Sequence, residues 1–233
     1  MSKPNTHLQF EVLPKGQPVS VLTPSPTLRR AALVGSTLSL LPLNAERDAP
    51  QLYAASHGDK LKEQIYAYLP YGPFEDLAMM KQWYRKNESS RDPVFFSVTD
   101  RQSKQAVGQV TFMSIDLPAR RLELGHIWYA PDRQRGRTNT ETIYLMLCEA
   151  FGPMNCRRVE WKCDAHNQRS RKAAERLGFQ HEGIFRQHLI VKGRNRDSAW
   201  FSILDSEWPS IKQALEQWLN WSEGSPPPLA SLR

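Results

Sequence analysis

Residues 163–179 read CDAHNQRSRKAAERLGF. A Cys and an Asp lead into the polar corner Asn167-Gln168-Arg169-Ser170, and a short basic run then stops at Leu177-Gly178-Phe179. Asn is a preferred helix N-cap because its side-chain oxygen accepts from backbone N–H groups that the first turn leaves unpaired. Gly ends helices because it adopts the left-handed conformation at little cost. The stretch therefore predicts a helix from Asn167 to Leu177 with Gly178 as its stop. Capping accounts for Asn167 and places Ser170 in the first turn, but an Asn-x-x-Ser corner exceeds what packing requires, so both are candidate functional residues.

Just upstream, RVEWKC (158–163) has strand composition, with Val159, Trp161 and Cys163 on one face. Before it, the basic loop PDRQRGRTN (131–139) opens a helix through Tyr144, Leu147, Ala150 and Phe151, ended by Gly152-Pro153. Thr138 and Glu141 have capping-box spacing. RLELGHIWYA (121–130) is a further strand, whose two-residue period puts Leu122, Leu124, His126 and Trp128 on one face. Glu123, Gly125, Ile127 and Tyr129 then lie on the other.

PVFFSVTD (93–100) and QAVGQVTFMSID (105–116) are strands joined by a polar hairpin-like turn. Leu33–Leu43 suits a first strand, and Asn44 caps a helix to Ala55. In LPYGPFEDLAMMKQWYRK a Pro-Tyr-Gly-Pro turn precedes a helix carrying Leu77, Met80, Trp83 and Tyr84 at helical spacing. After Phe179, RQHLIVKG (186–193) and DSAWFSIL (197–204) form a hairpin turned at residues 192–195, and a last helix runs from Trp208 to Trp221. Helices and strands neither alternate strictly nor segregate. The fold class is therefore α/β of the mixed α+β kind, a mixed sheet with helices on both faces.

The ends differ in composition. Residues 1–30 carry Pro4, Pro14, Pro18, Pro24 and Pro26 and read as a Pro-rich arm with one short strand at 8–13, and residues 223–233, with GSPPPLASLR, read as a disordered or polyproline-like tail. One domain, 31–222, lies between them. Arg29-Arg30 before AALVGSTLSLLPL resembles an export signal, but the run starts far into the chain and is broken by Gly35, Ser36, Thr37 and Ser39, so the strand reading is preferred. No run approaches the roughly 20 apolar residues of a membrane span.

With 233 residues, 40% of them hydrophobic, the chain can bury one sizeable core. Lys and Arg total 31 against 24 acids, a net charge of +7, which suits an anionic partner such as a phosphorylated cofactor, a nucleic acid or an acidic protein. Cys148, Cys156 and Cys163 are odd in number and have no CxxC spacing or His cluster, so neither a disulfide framework nor a metal site is indicated and a reducing cytoplasm is expected. Arg133, Arg135 and Arg137 precede a helix start, where backbone N–H groups and the helix dipole favour a phosphate. A solvated basic loop fits the same residues, and neither a P-loop nor a GxGxxG pattern is present. The basic run Arg169, Arg171, Lys172 and Arg176 lacks stacking aromatics, so nucleic acid is not the expected partner.

From LELGHIWYAP through RRVEWKCDAHNQRSRKAAERLGFQHEGIFR to GRNRDSAWFSILDSEW the chain resembles the GNAT superfamily of acyl-CoA N-acyltransferases, and within it the RimJ/RimL-type ribosomal-protein N-acetyltransferase-like branch. The resemblance implies a mostly antiparallel central sheet splayed between two parallel strands, with the pantetheine arm of acetyl-CoA in the gap. It makes His126, Ile127, Trp128 and Tyr129 the strand that the arm pairs with, and the loop Gln134, Arg135, Gly136, Arg137, Thr138, Asn139 and Thr140 the diphosphate holder. The family pattern there is Gln/Arg-x-x-Gly-x-Gly/Ala. Counted from Gln134, Arg137 and Asn139 stand where small residues are expected, and a register slipped onto Gly136 is the alternative. Asn167 is implied to meet the cofactor arm or order the splayed strand, and Ser170 to protonate the departing thiolate; Lys172, in the basic run beside this site, suits adenosine phosphate contacts or plain solvation. Glu123 and His126 are candidate bases toward the amine acceptor, with Glu160 and Asp164 behind them. The region from Tyr66 to Trp83 and the 192–196 turn are expected to shape the acceptor pocket. The expected activity is acetyl transfer from acetyl-CoA to a primary amine, on a small molecule or a protein N-terminus. The rival is a non-catalytic acyl-CoA-binding or regulatory module with a degenerate phosphate loop. An RNA-associated basic protein is a third reading, and a homodimer stays open.

Overall fold

The computed structural model describes residues 15–19 and 30–233, so the short strand expected at 8–13 lies outside the described residues. In chain order the elements are β1 (Leu33–Val34), β2 (Leu38–Pro42), α1 (Ala45–Ser56), α2 (Lys60–Glu63), α3 (Leu77–Asn87), β3 (Val94–Asp100), β4 (Ala106–Asp116) and β5 (Arg121–Tyr129). They are followed by α4 (Arg137–Phe151), β6 (Arg158–Asp164), α5 (Gln168–Leu177), β7 (Gln180–Val191), β8 (Arg194–Leu204) and α6 (Trp208–Leu219). The strands make one eight-stranded sheet in the order β1-β2-β3-β4-β5-β6-β8-β7. Every neighbouring pair is antiparallel except β5 and β6, which run parallel.

Local chemistry sets most boundaries. Asn44 starts α1 by accepting from the Arg47 N–H at 2.8 Å, and Asp76 starts α3 by accepting from Met79 at 2.8 Å. At α5, Asn167 accepts from the Ser170 N–H at 3.1 Å and Gly178 closes the helix with φ of 108°. Lys192 and Gly193, both with positive φ, make the two-residue turn between β7 and β8.

The sheet carries apolar side chains on both faces. One face packs Leu122, Leu124, Val159 and Phe201 against Ile143 and Leu147 of α4, Ala174 and Leu177 of α5, and Ile211 and Leu215 of α6. The other packs Phe95, Ala106 and Trp128 against Leu52 of α1 and Met80 and Tyr84 of α3. Two packed layers flank the sheet, as the mixed order of elements predicts.

Five local readings of the sequence are corrected. The segment 33–43 is a hairpin of two short strands, its turn at Gly35-Ser36-Thr37 stitched to α4. The Thr138–Glu141 capping box does not form. Gly136 is the N-cap of α4, and Glu141 instead accepts from the Thr37 N–H, the Thr37 and Ser36 hydroxyls and Arg137. β7 begins at Gln180, six residues before the expected hairpin strand. The segment before α3 holds α2 and a 3₁₀ turn, Gln64–Tyr68, that periodicity did not indicate. The tail, expected to be disordered or polyproline-like, forms a 3₁₀ turn at Leu229–Leu232 after an extended Pro228, with Leu229 only 2% exposed in the main core.

Candidate active site

The site is built around the place where β5 and β6 part. Their pairing runs from Arg121↔Arg158 to Leu124↔Trp161 and ends there, although β5 continues to Tyr129 and β6 to Asp164. Beyond that last pair, backbone groups of Gly125–Tyr129 face a cleft of about 1480 Å³ in place of a strand. A β-bulge opens the same stretch toward β4. Gln109 pairs with Trp128 but Thr111 with Gly125, so His126 and Ile127 together oppose Val110, and His126 takes φ of 49°.

The bulge corrects the expected alternation. Ile127 and Tyr129 join Leu122 and Leu124 in the main core, and Trp128 packs on the opposite face. His126 is also turned to that opposite face, where its ring stacks on Tyr71 at 5.3 Å and meets Phe95 at 5.4 Å. Glu123 and His126 were expected on opposite faces; both line the cleft.

Glu123 is buried and its Oε2 lies 2.9 Å from Lys162 Nζ on β6, while the Ser114 hydroxyl donates to it at 3.1 Å. Lys162 also reaches Glu160 at 3.3 Å and sits 4.0 Å over the Trp200 ring. Glu160 is further paired with Arg158, and Asp164 accepts from the His166 N–H, so those two carboxylates are held in local structure. Burial, aided by the positive charge of Arg196, pushes the His126 imidazole down to about 4, and its Nδ1 is buried without a hydrogen-bond partner among the described residues. The ring is therefore neutral at physiological pH.

Ser170 stands in the first turn of α5, facing β6. Its Oγ accepts from Trp161 Nε1–H at 2.9 Å, which leaves its own proton available to donate. Beside it, burial raises the Cys163 thiol, and the Ser170 hydroxyl is the main influence opposing that rise. A buried thiol of this kind is a poor nucleophile.

The cleft continues past Tyr129 to the start of α4. Gln134 donates to the Tyr129 carbonyl at 3.0 Å, and the Tyr129 hydroxyl donates to Asn139 Oδ1 at 3.1 Å, so the loop and β5 hold each other. Arg135 has φ of 59° and Gly136 caps α4 without a side chain, which leaves the first-turn N–H groups free of any side-chain cap. Gln134, Arg135, Gly136 and Asn139 line the cleft, as do Asn167 and Lys172. Arg137, Thr138 and Thr140 do not. Arg137 turns away to Glu141, Ser36 and the Leu219 carbonyl, and Thr140 is buried beneath Arg176, which donates to its hydroxyl at 3.0 Å.

Several lining groups were not foreseen. The bulge in β7 between Phe185 and Leu189, held by the Gln187 N–H donating to Asp197, brings His188 to 2.9 Å from the Ser198 hydroxyl at the cleft wall. Arg196 donates to the same hydroxyl at 3.2 Å. Gln64–Pro70 cover the other side, and Lys192 at the β7–β8 turn donates to the Tyr66 carbonyl at 2.7 Å, tying the two segments expected to shape this end. Pro226–Ala230 line the cleft as well.

A mixed sheet with one parallel pair that parts over a cleft, and a helix start opening into that cleft, is the arrangement that the GNAT resemblance implies. A family model for the acetyltransferase (GNAT) domain matches residues 37–180, and the chain belongs to the GNAT acetyltransferase family. A GCN5-related N-acetyltransferase from Brucella melitensis is 41% identical, with a TM-score of 0.85 over 91% of this chain and 97% of that one. YdaF of Bacillus subtilis, provisionally assigned as a ribosomal N-acetyltransferase, is 30% identical over 105 residues, which cover 45% of this chain and 57% of YdaF. The spermidine N-acetyltransferase of Vibrio cholerae, solved with CoA and spermine, shares the fold at a TM-score of 0.61 and 23% identity, over 75% of this chain and 99% of that one.

Proposed function

We propose that the chain transfers the acetyl group of acetyl-CoA to a primary amine, on a small molecule or a protein N-terminus, without a covalent enzyme intermediate. The observation that carries this reading is the parting of β5 from β6 after Leu124↔Trp161, with one cleft running from that point to the uncapped start of α4. The unit is taken to span residues 31–222, with the tail seated on it through Leu229, in a cytoplasmic setting.

In this reading the backbone of Ile127–Tyr129 pairs with the pantetheine arm, Asn167 contacts it from the cap of α5, and Lys172 faces the nucleotide phosphates. The N–H groups of the α4 first turn hold the diphosphate, and Gln134, Arg135 and Asn139 surround it. Because Gly136 is the helix cap, the loop pattern fits best when counted from Arg133, with Gly136 where glycine is expected. Arg137 then enters through its backbone, as does Thr138, whereas Thr140, buried in the second turn, does not take part. That count leaves Thr138 as the departure from the pattern and weakens the support for a degenerate loop and a non-catalytic module.

The amine nitrogen attacks the thioester carbonyl to form the C–N bond, and collapse of the tetrahedral adduct breaks the C–S bond. Ser170 Oγ–H, which neighbours the Cys163 thiol in the resting site, passes a proton to the leaving sulfur and takes back the one that the amine releases, so the serine ends neutral. Neutral His126 accepts a hydrogen bond from the entering amine. Glu123, fixed by Lys162 and Ser114, orients the water that carries the amine proton away. Thiol release measured across a panel of primary amines, including N-terminal peptides and polyamines, tests this. Release dependent on one amine class supports it, and no release above hydrolysis with any class contradicts it.

A further inference from the structure

The segment after α6 lies outside the residues that match the family model, yet it is seated on the cleft. Its anchor is Leu229, buried among the main core residues, and the 3₁₀ turn that follows packs against α5 and α6. Pro226, Pro227, Pro228 and Ala230 line the cleft together with Lys172 and Arg176 of α5 and Trp218 of α6. Arg176 lies in the last turn of α5, whereas Ser170, which meets Trp161 at the β5–β6 parting, lies in its first turn, and Arg176 reaches the start of α4 at Thr140.

The chemistry there is specific. Arg176 donates to Thr140, and its guanidinium lies 6.0 Å over the Trp218 ring. Arg233 donates to the Arg176 carbonyl, which brings a second guanidinium close to the first. Burial lowers Arg176, and Arg233 adds to that lowering, so the two cations repel. Among the described residues no carboxylate pairs with either. An anion close to both relieves the repulsion, and flat proline faces with an indole suit an aromatic base.

We propose that Pro226–Ala230 is a working part of the donor site: it walls the pocket for the nucleotide end of acetyl-CoA, with Arg176 as the cation for its ribose phosphate. This rests on the donor reading above, because it assigns another part of the same cleft. Rigid prolines hold the wall in place before the ligand arrives, which lowers the ordering cost of binding.

The test is calorimetric titration of two donors, acetyl-CoA and nucleotide-free acetyl-pantetheine, into the unaltered chain and two variants. In one variant Pro226, Pro227 and Pro228 are replaced by Gly-Ser-Gly, which keeps the Leu229 anchor; the other is Arg176→Gln. Melting curves taken without ligand confirm that each variant is folded. The expected result is acetyl-CoA affinity about tenfold weaker in each variant, with acetyl-pantetheine affinity unchanged. Unchanged acetyl-CoA affinity in the folded proline variant overturns the proposal while the donor reading stands. An equal loss for both ligands overturns the nucleotide assignment. No binding of acetyl-CoA by the unaltered chain overturns the donor reading and this proposal with it.

Discussion

Trp161 donates its indole N–H to Ser170 Oγ at 2.9 Å, across the line where β5 leaves β6. Trp161 is the last residue of β6 to pair with β5, and Ser170 is in the first turn of α5. The bond therefore fixes the serine rotamer at the point where the sheet opens. An oxygen that already accepts from an indole directs its own proton elsewhere, and the cleft is the direction in which a leaving thiolate would form.

Ser170→Ala should lower kcat about 10- to 100-fold with little change in the KM for acetyl-CoA, the usual scale for loss of one general acid. Trp161→Phe keeps the serine and loses the orienting donor, so a smaller fall is expected. Steady-state rates of thiol release separate the two. A Ser170→Ala enzyme with full kcat removes the hydroxyl from the reaction.

Glu123 and Lys162 form a buried pair, but Lys162 keeps Glu160 at 3.3 Å and the Trp200 face if Glu123 is neutralised. The cost of Glu123→Gln should thus stay below the full loss of a buried pair, at about 1–3 kcal/mol. Urea denaturation reads that value, and the fall in kcat/KM should exceed what the stability change explains. A stability loss with unaltered kinetics would make the carboxylate purely structural.

His126 provides a pH signature. Its folded-state pKa of about 4 lies below the ordinary 6.5, so the unfolded chain binds the extra proton between those values. Stability from this group is present above pH 6.5 and is lost as pH falls toward 4, at up to about 1.4 kcal/mol per unit. Denaturation midpoints measured from pH 4 to 7 should therefore slope less steeply in His126→Gln than in the unaltered chain. The neutral ring also predicts no inflection from this residue near pH 6.5 in kcat/KM.

Arg137 reaches Glu141, the Ser36 hydroxyl and the Leu219 carbonyl, tying α4 to the β1–β2 turn and to the end of α6. Arg137→Ala should lower stability by about 1–2 kcal/mol while leaving acetyl-CoA affinity within about twofold. Melting temperature and calorimetry check the two halves separately. A tenfold affinity loss at unchanged stability would place the guanidinium on the ligand.

What was legible in the sequence was what local chemistry decides. Asn44, Asn167 and Gly178 announce helix ends because capping needs only neighbouring residues, and the β3, β4 and β5 runs announce themselves by apolar content. Readings failed where a distant partner took over. Glu141 leaves its capping-box role for Thr37, 104 residues away in sequence. The alternation of β5 breaks at His126 because its register with β4 shifts there, and nothing within RLELGHIWYA marks that shift. Three prolines read as an unanchored tail, although one leucine, Leu229, suffices to seat them. The Asn-x-x-Ser corner was visible, whereas its Trp161 partner and the β7 bulge that delivers His188 depend on the assembled sheet.

The central claim is that the opening between β5 and β6 receives acetyl-CoA, and titration of acetyl-CoA into the unaltered chain by calorimetry tests it most directly. The account predicts one site per chain with a dissociation constant in the micromolar range, about −8 kcal/mol at 1 μM. An absence of binding heat at submillimolar acetyl-CoA, at two temperatures, would contradict it.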